Sequence, residues 1–259
     1  MEILILGTGS SGNCSLVKNH YAALLVDAGL PSRTICSRLA EENISPDQLA
    51  GILLTHEHTD HAGGLKVFLR RHQVPLYCNA ETLRALGGSA AFPGAEIRIF
   101  ETGASFDLAG FNIRSFSVPH DAGEPVGFRI EHDGLAFGFL TDLGFATRLV
   151  LETLRGVHGL LVEANYDETM LQNDTKRPWS VKQRITSRHG HLSNRAASQV
   201  VAEVVGRETQ HVVLGHLSRD CNKPEIALHT VMEKITPHQG QSKFTCSLQD
   251  VPLKLRLSR

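Results

Sequence analysis

Residues 52–65 read ILLTHEHTDHAGGL, with three histidines and an aspartate packed into six positions directly after an apolar run. The run has the character of a buried strand, so the polar cluster begins where the chain is only just leaving a core. Polar side chains held there must each find a partner, because an unpaired one costs free energy when removed from water. A solvated loop has no need of such a concentration. A cation that takes imidazole and carboxylate together satisfies all of them at once. His56 and His58, two residues apart, can converge on one ion and leave Asp60 and His61 for a neighbour. One ion would strain to collect all four from so short a segment. The spacing therefore predicts two metals about 3.5–4 Å apart with an activated water between them.

The missing donors have to come from elsewhere, and three residues are suitably placed. His120 follows an apolar strand and a proline in FSVPHDAGEP, Asp142 ends the strand of FLTDLG, and His216 ends that of HVVLGHLS. Each sits at the C-terminal end of an apolar run, where strand ends facing a common crevice build sites. Four or five imidazoles with two carboxylates and no thiolate suit zinc or manganese, with iron as a further choice, rather than calcium or magnesium. The remaining histidines, such as His20, His72, His132, His158, His211, His229 and His238, are expected to be hydrogen-bonded structural residues. GTGSSGN at residues 7–13 lacks the Lys-Ser/Thr of a P-loop and the spacing of a dinucleotide fingerprint, so no nucleotide cofactor is expected. It reads better as a rim loop whose Ser11 and Asn13 contact substrate.

The 259 residues carry a formal net charge of −1, so no global field draws the chain to nucleic acid or membrane. No apolar stretch is long enough to span a bilayer, and MEILILGTGSSGN lacks the layout of a signal peptide. Five scattered cysteines, none in a CxxC pair, read as reduced thiols of a cytoplasmic protein. No linker divides the sequence, which predicts one domain over residues 1–259. Strands are expected at 3–6, 22–26, 52–55, 75–78, 96–100, 111–118, 126–131, 135–141, 159–163 and 211–214, with a hairpin at Asp133–Gly134. Helical spacing fits 32–42, 61–71, 80–86, 147–155, 181–188, 194–205 and 224–234, with Asn79 and Ser193 as caps. Many strands with interspersed helices predict two sheets covered on their outer faces. LLVDAGL (24–30) resembles FLTDLGF (139–145), and ILLTH (52–56) resembles VVLGH (212–216), a hint of internal duplication.

THEHTDH, VPHD, FLTDLG and LGHLS, in this order, resemble the metallo-β-lactamase superfamily along nearly the whole chain. Within it, GTGSSGNCSLV, LLVDAGL, HLSNRAA and LGHLSRDCN are most similar to YycJ/WalJ-type hydrolases, with ribonuclease Z more distant. The resemblance implies an α+β fold, a four-layer αββα sandwich in a single domain with a dinuclear site between the sheets. It implies that His56, His58 and His120 hold one metal, that Asp60, His61 and His216 hold the second, and that Asp142 bridges them. Asp27 matches an aspartate that supports the ligand loop. His191 resembles the extra histidine that phosphodiesterase members place beside the scissile phosphate. His191 and Asp60 are therefore the candidate catalytic residues, with Ser193 and Asn194 as further substrate contacts.

Between residues 176 and 195 stand Lys176, Arg177, Lys182, Arg184, Arg188 and Arg195 with no acidic residue, together with Trp179, the only tryptophan. Such a strip can track a phosphate backbone and stack a base. Lys66, Arg70 and Arg71, on the helix after the ligand loop, either extend it or are simply solvated. These readings converge on a dinuclear metal-dependent phosphodiesterase, an exonuclease on single-stranded DNA that uses a metal-bridging hydroxide. The alternative is a small-molecule hydrolase of the same fold, acting on a cyclic phosphodiester or, like glyoxalase II, on a thioester.

Overall fold

The computed structural model describes residues 1–235 and 242–259, and His238 lies outside them. Two seven-stranded sheets dominate the described residues. The first contains β1 (Glu2–Gly7), β2 (Cys14–Lys18), β3 (Ala23–Val26), β4 (Leu49–Leu53), β5 (Leu76–Cys78) and β6 (Ile97–Ile99). The second contains β7 (Ser105–Leu108), β8 (Phe111–Ser117), β9 (Val126–His132), β10 (Leu135–Leu140), β11 (Gly159–Glu163), β12 (His211–Gly215) and β13 (Lys243–Cys246). Finally β14 (Leu253–Arg256) returns to pair antiparallel with β1 at the edge of the first sheet.

The helices are α1 (Ser32–Glu41), α2 (Thr59–Ala62), α3 (Leu65–Arg71), α4 (Ala80–Ala85), α5 (Arg148–Leu154), α6 (Glu168–Asn173), α7 (Trp179–Ile185), α8 (Asn194–Val204) and α9 (Pro224–Met232). The expected caps are in place: Asn79 accepts from the Thr82 amide and Ser193 from that of Ala196.

Strand alternation sorts the apolar residues into three cores. Ile3, Ile5, Leu24 and Val26 of the first sheet meet Phe137, Phe139, Leu161 and Val213 of the second between the sheets. The residues one position along face outward: Leu4, Leu6 and Leu25 lie with Ile35, Leu39 and Phe68 of α1 and α3. Likewise Leu140, Leu160, Val162 and Leu214 lie with residues of α5, α8 and α9. Helix, sheet, sheet and helix thus form the four layers expected from the sequence. Both faces of each central strand are buried, which is why these strands read as nearly continuous apolar runs. Each fully buried Leu or Phe contributes about 1.5–3 kcal/mol.

Two boundaries differ from expectation for a local reason. The helix expected over 61–71 is split into α2 and α3 at Gly63 and Gly64. The Gly64 amide donates to Ala28 O, and a Cβ on Gly64 would lie 2.0 Å from Leu30 O, so the chain breaks helix to pack against the loop after β3. The strand expected at 52–55 is β4, which ends at Leu53. Beyond it the Thr55 amide donates instead to the Asp27 side chain.

Within the two sheets, β3 to β6 run parallel and so do β10 to β13. Parallel strands bring their C-terminal ends to one edge, the usual place for a ligand site in such sheets.

Candidate metal centre

Asp27, His56, Asp142, Glu163 and His216 lie at or just past the ends of β3, β4, β10, β11 and β12. Three of them adopt left-handed backbone, with φ of 62° at Asp27, 59° at Asp142 and 53° at His216. That conformation is uncommon outside glycine and is costly unless the surroundings enforce it. Its recurrence after β3, β10 and β12 shows the backbone being bent to aim these three side chains. Asp27 and Asp142, which hinted at duplication in the sequence, share the same turn.

The rings are fixed by their non-coordinating nitrogens. His61 Nδ1 donates to Asp27 Oδ2 at 2.7 Å, and His120 Nδ1 to Gly190 O at 3.0 Å. His216 Nδ1 donates to Glu163 Oε1 at 3.0 Å. Thr55 Oγ1 donates to Asp27 Oδ1 at 2.9 Å and so accepts from His56 Nδ1 at 3.0 Å. These bonds leave Nε2 of His56, His61, His120 and His216 for a ligand. His58 is turned the other way: its Nε2 donates to Asp121 O at 3.2 Å, which leaves Nδ1. Orienting bonds of this kind select tautomer and ring angle in metal sites.

Donor atoms of His56, His58 and His120 lie within 4.8 Å of one another, and so do those of Asp60, His61, Asp142 and His216. With both tautomers set by carbonyls, His58 Nδ1 and His120 Nε2 face each other across 3.3 Å lone pair to lone pair. His56 Nε2 is buried without a hydrogen-bond partner, and Asp142 Oδ2, 2.9 Å from His61 Nε2, makes no hydrogen bond either. Buried polar atoms are ordinarily paired. A divalent cation in each set relieves these contacts, so the residues present fit a metal. Asp142 belongs with both sets, since its Oδ1 is 3.8 Å from His120 Nε2 and 3.5 Å from His216 Nε2.

Electrostatics agree with a site built for positive charge. Burial, reinforced by the neighbouring His61, holds His56 well below the usual histidine range. Burial opposes charge on His61 and His216 too, but Asp142 acting with Asp27 at His61, and with Asp60 and Glu163 at His216, outweighs it and lifts both well above that range. Burial would raise Asp142, yet His216 and His61 keep its carboxyl well below the usual carboxylate range.

Glu163 was not singled out from the sequence, although it ends a strand that was, by the same rule that selected Asp142 and His216. It is fully buried. Its Oε1 accepts from His191 Nδ1 at 2.6 Å as well as from His216, and its Oε2 accepts from the amides of Leu143 and Leu192, both at 3.2 Å. With both oxygens so engaged, Glu163 orients the two histidines rather than serving as a donor itself. Burial disfavours a charged His191, but the Glu163 and Asp142 carboxylates raise its affinity for a proton above the usual. His191, not the exposed His189, lines the cleft above the donors, a cavity of about 220 Å³ that also takes in Ser10, Arg184 and Ile185.

Other expectations fare differently. Asn13 is buried, donating to Asp60 O at 3.3 Å and accepting from the Gly9 amide at 2.9 Å and Thr8 Oγ1 at 3.0 Å, so it braces the ligand loop. Ser193 caps α8 and donates to Glu168 Oε1 at 3.0 Å. Asn194 exchanges two hydrogen bonds with Asn222, at 3.0 and 2.8 Å. Both are buried, so their expected substrate contact gives way to structural bonds. Ser11 is exposed on the rim, as expected.

Much of the basic strip is neutralised by residues outside it. Lys176 pairs with Asp220 at 2.7 Å, and Arg177 pairs with Asp174 at 3.0 Å and Asp220 at 3.1 Å. Arg184 pairs with Asp121, and Lys182 is buried, donating to Gln172 O at 2.8 Å. Arg188 lies over the Phe145 ring at 4.4 Å. Trp179 is 69% exposed and takes no part in the core. Among the described residues, no helix is long and apolar enough to cross a membrane.

Comparison with known proteins places this arrangement. The beta-lactamase superfamily domain matches residues 23–217. The exodeoxyribonuclease WalJ of Streptococcus pneumoniae serotype 2 (strain D39 / NCTC 7466) is 37% identical over 234 residues, covering 89% of this chain and 87% of the relative. The exodeoxyribonuclease YycJ of Bacillus anthracis is 34% identical, covering 90% and 88%. In structure, the metallo-beta-lactamase fold protein YhfI of Bacillus subtilis superposes with a TM-score of 0.74 at 15% identity, covering 98% of each chain.

Proposed function

Because the chain belongs to the beta-lactamase superfamily, we propose that it is a metal-dependent nuclease that hydrolyses phosphodiester bonds of single-stranded DNA at a two-ion centre. The observation that carries this reading is the pair of donor sets meeting at Asp142, with lone pairs turned toward each other. The exodeoxyribonuclease relatives, matched along most of both chains, support the substrate class.

His56, His58 and His120 would hold one ion, Asp60, His61 and His216 the other, and Asp142 both. Zinc and manganese both accept this set, and iron is a further choice. When bound, such ions supply Lewis acidity toward a phosphoryl oxygen and bring the pKa of water toward neutrality. The chain does the rest. Its backbone turns at Asp27, Asp142 and His216 hold the donors in place before substrate arrives. Glu163 takes the Nδ1 proton of His191 in a hydrogen bond, which directs Nε2 into the cleft. There a ring N–H can donate to a non-bridging oxygen of the phosphate or deliver its proton to the departing oxygen. Burial of the rings excludes competing water from the donors.

The test is hydrolysis of 5′-labelled single-stranded DNA by the reconstituted chain, with metal content measured on the same sample. Two metals per chain and a shortened strand are expected, together with turnover of bis(p-nitrophenyl) phosphate and none of a thioester. Intact DNA beside thioester turnover overturns the reading in favour of the small-molecule hydrolase.

A further inference from the structure

A second groove of about 660 Å³ joins the metal cleft at Ser10 and Asp60, which line both. It runs between the start of α1, the helix α3 and the rim loop of Ser10 and Ser11. Its charge is unlike that of the strip on α7. Arg33 and Arg71 both line it, both are exposed, and neither pairs with a carboxylate among the described residues.

The start of α1 adds three more donors. Pro31 at the cap position offers no side-chain acceptor, and the first turn holds no acidic residue. Among the described residues the amides of Ser32 and Arg33 find no acceptor, whereas Thr34 and Ile35 both bond to Pro31 O. The Ser32 hydroxyl lines the same groove, is 94% buried by its 6% exposure, and has no hydrogen-bond partner. Orphan donors at a helix start are ordinarily satisfied by a capping side chain, water or a ligand. Here a buried hydroxyl, two free amides, the positive end of a helix dipole and two guanidiniums border one space. An anion with several acceptor oxygens suits it, and phosphate fits best.

Close glycine contacts tie this groove to the metal centre. A Cβ on Gly29 would lie 1.7 Å from Asp60 O, so the loop into α1 rests directly on the ligand loop. We propose that the groove is the subsite for a phosphate adjacent to the scissile one, so that the chain holds a substrate strand at two successive points. The proposal rests on the nuclease reading above.

The test compares wild type with the double variant Arg33→Gln/Arg71→Gln. Fluorescence anisotropy follows binding of a labelled single-stranded oligonucleotide to the full chain across a range of salt. Loss of this one phosphate contact should flatten the log–log salt dependence by about 0.7. The ratio of kcat/KM on the oligonucleotide to that on bis(p-nitrophenyl) phosphate, which carries one phosphate, should fall at least about tenfold. Ser32→Ala, with both guanidiniums retained, should lower the ratio by a smaller factor. An unchanged slope and ratio in the double variant overturn the subsite alone. Equal losses on both substrates with an unchanged slope do the same, because they mark a structural role. Wild-type failure to bind or cut the oligonucleotide, with bis(p-nitrophenyl) phosphate still hydrolysed, overturns the nuclease reading and the subsite with it.

Discussion

The ligand loop at residues 56–61 and the segment at 176–195 were the two stretches whose polar side chains stood out in the sequence, and the structure treats them in opposite ways. In the first, each histidine has one ring nitrogen tied to a neighbour, as His61 is to Asp27, which frees the other for the cluster. In the second, Lys176, Arg177 and Arg184 are answered by Asp174, Asp220 and Asp121, none of which lies inside the segment. The difference is one of physics. Metal donors must lie within a few ångströms of each other in a dry pocket, so they leave a mark in local spacing and at strand ends. A surface cation is neutralised by whichever carboxylate the fold brings near, and local sequence carries no trace of that.

The sharpest way to break the comparison is at Asp142, which sits in the donor set of Asp60, His61 and His216 and reaches within 3.8 Å of His120 in the other. Asp142→Ala should lose bound metal and turnover together, down to the background of the metal-free chain, as metal analysis and an activity assay on one preparation will show. Wild-type turnover in this variant would end the two-ion reading. His191→Ala should be milder and different in kind. It removes a ring that lines the cleft without serving either donor set as we assign them, so metal content should hold while kcat falls by roughly 10²–10⁴. Departure of the metal as well would make His191 a ligand or a brace, and its role toward the phosphate would be wrong.

Stability gives a third handle. The donors crowd unpaired atoms together, so the chain should be markedly less stable after chelation. At a metal concentration about a hundredfold above Kd, binding stabilises by about 2.7 kcal/mol per independent ion. For a domain of this size the two ions together correspond to a melting temperature lower by about 10–20 °C after EDTA treatment. Scanning calorimetry before and after chelation checks it, and an unchanged Tm would mean that the folded chain held no metal.

The same contrast explains what could be read in advance. The layers, nearly all central strands and the donor set were legible because each rests on a short-range pattern: alternation, apolar runs and residues at strand ends. The edge strands β7, β13 and β14 were not, being short and only partly apolar. The split at Gly63 and Gly64 was invisible because its cause, Leu30 O, lies on another segment. Glu163 was legible in principle, as the acidic end of a predicted strand. It was passed over because its partners, His191 and His216, are 28 and 53 residues away. Asn13, Ser193 and Asn194 failed as substrate contacts for a related reason: residue type marks a polar group, and only the fold says whether its bonds are already spent.

The smallest expected effect tests the other half of the comparison. Lys176 and Arg177 form a network with Asp174 and Asp220 whose outer pair, Lys176 and Asp220, is 72% and 39% exposed, while the Arg177 and Asp174 side chains are 25% and 7% exposed. A pair as open to solvent as the outer one contributes little. Lys176→Ala should therefore leave the urea unfolding midpoint close to that of wild type, and Lys176→Ala/Arg177→Ala should lower it only slightly. Their charges are also already answered, so the salt dependence of oligonucleotide binding should stay close to that of wild type. The Arg33/Arg71 pair makes the useful control, since it carries the same nominal charge with no carboxylate opposite it. If the Lys176/Arg177 variant instead flattens the salt dependence as strongly as the groove variant does, the ion pairs open when a strand arrives. The segment at 176–195 would then be a binding face held closed by its own acids, and the contrast between the two regions would be one of timing rather than of kind.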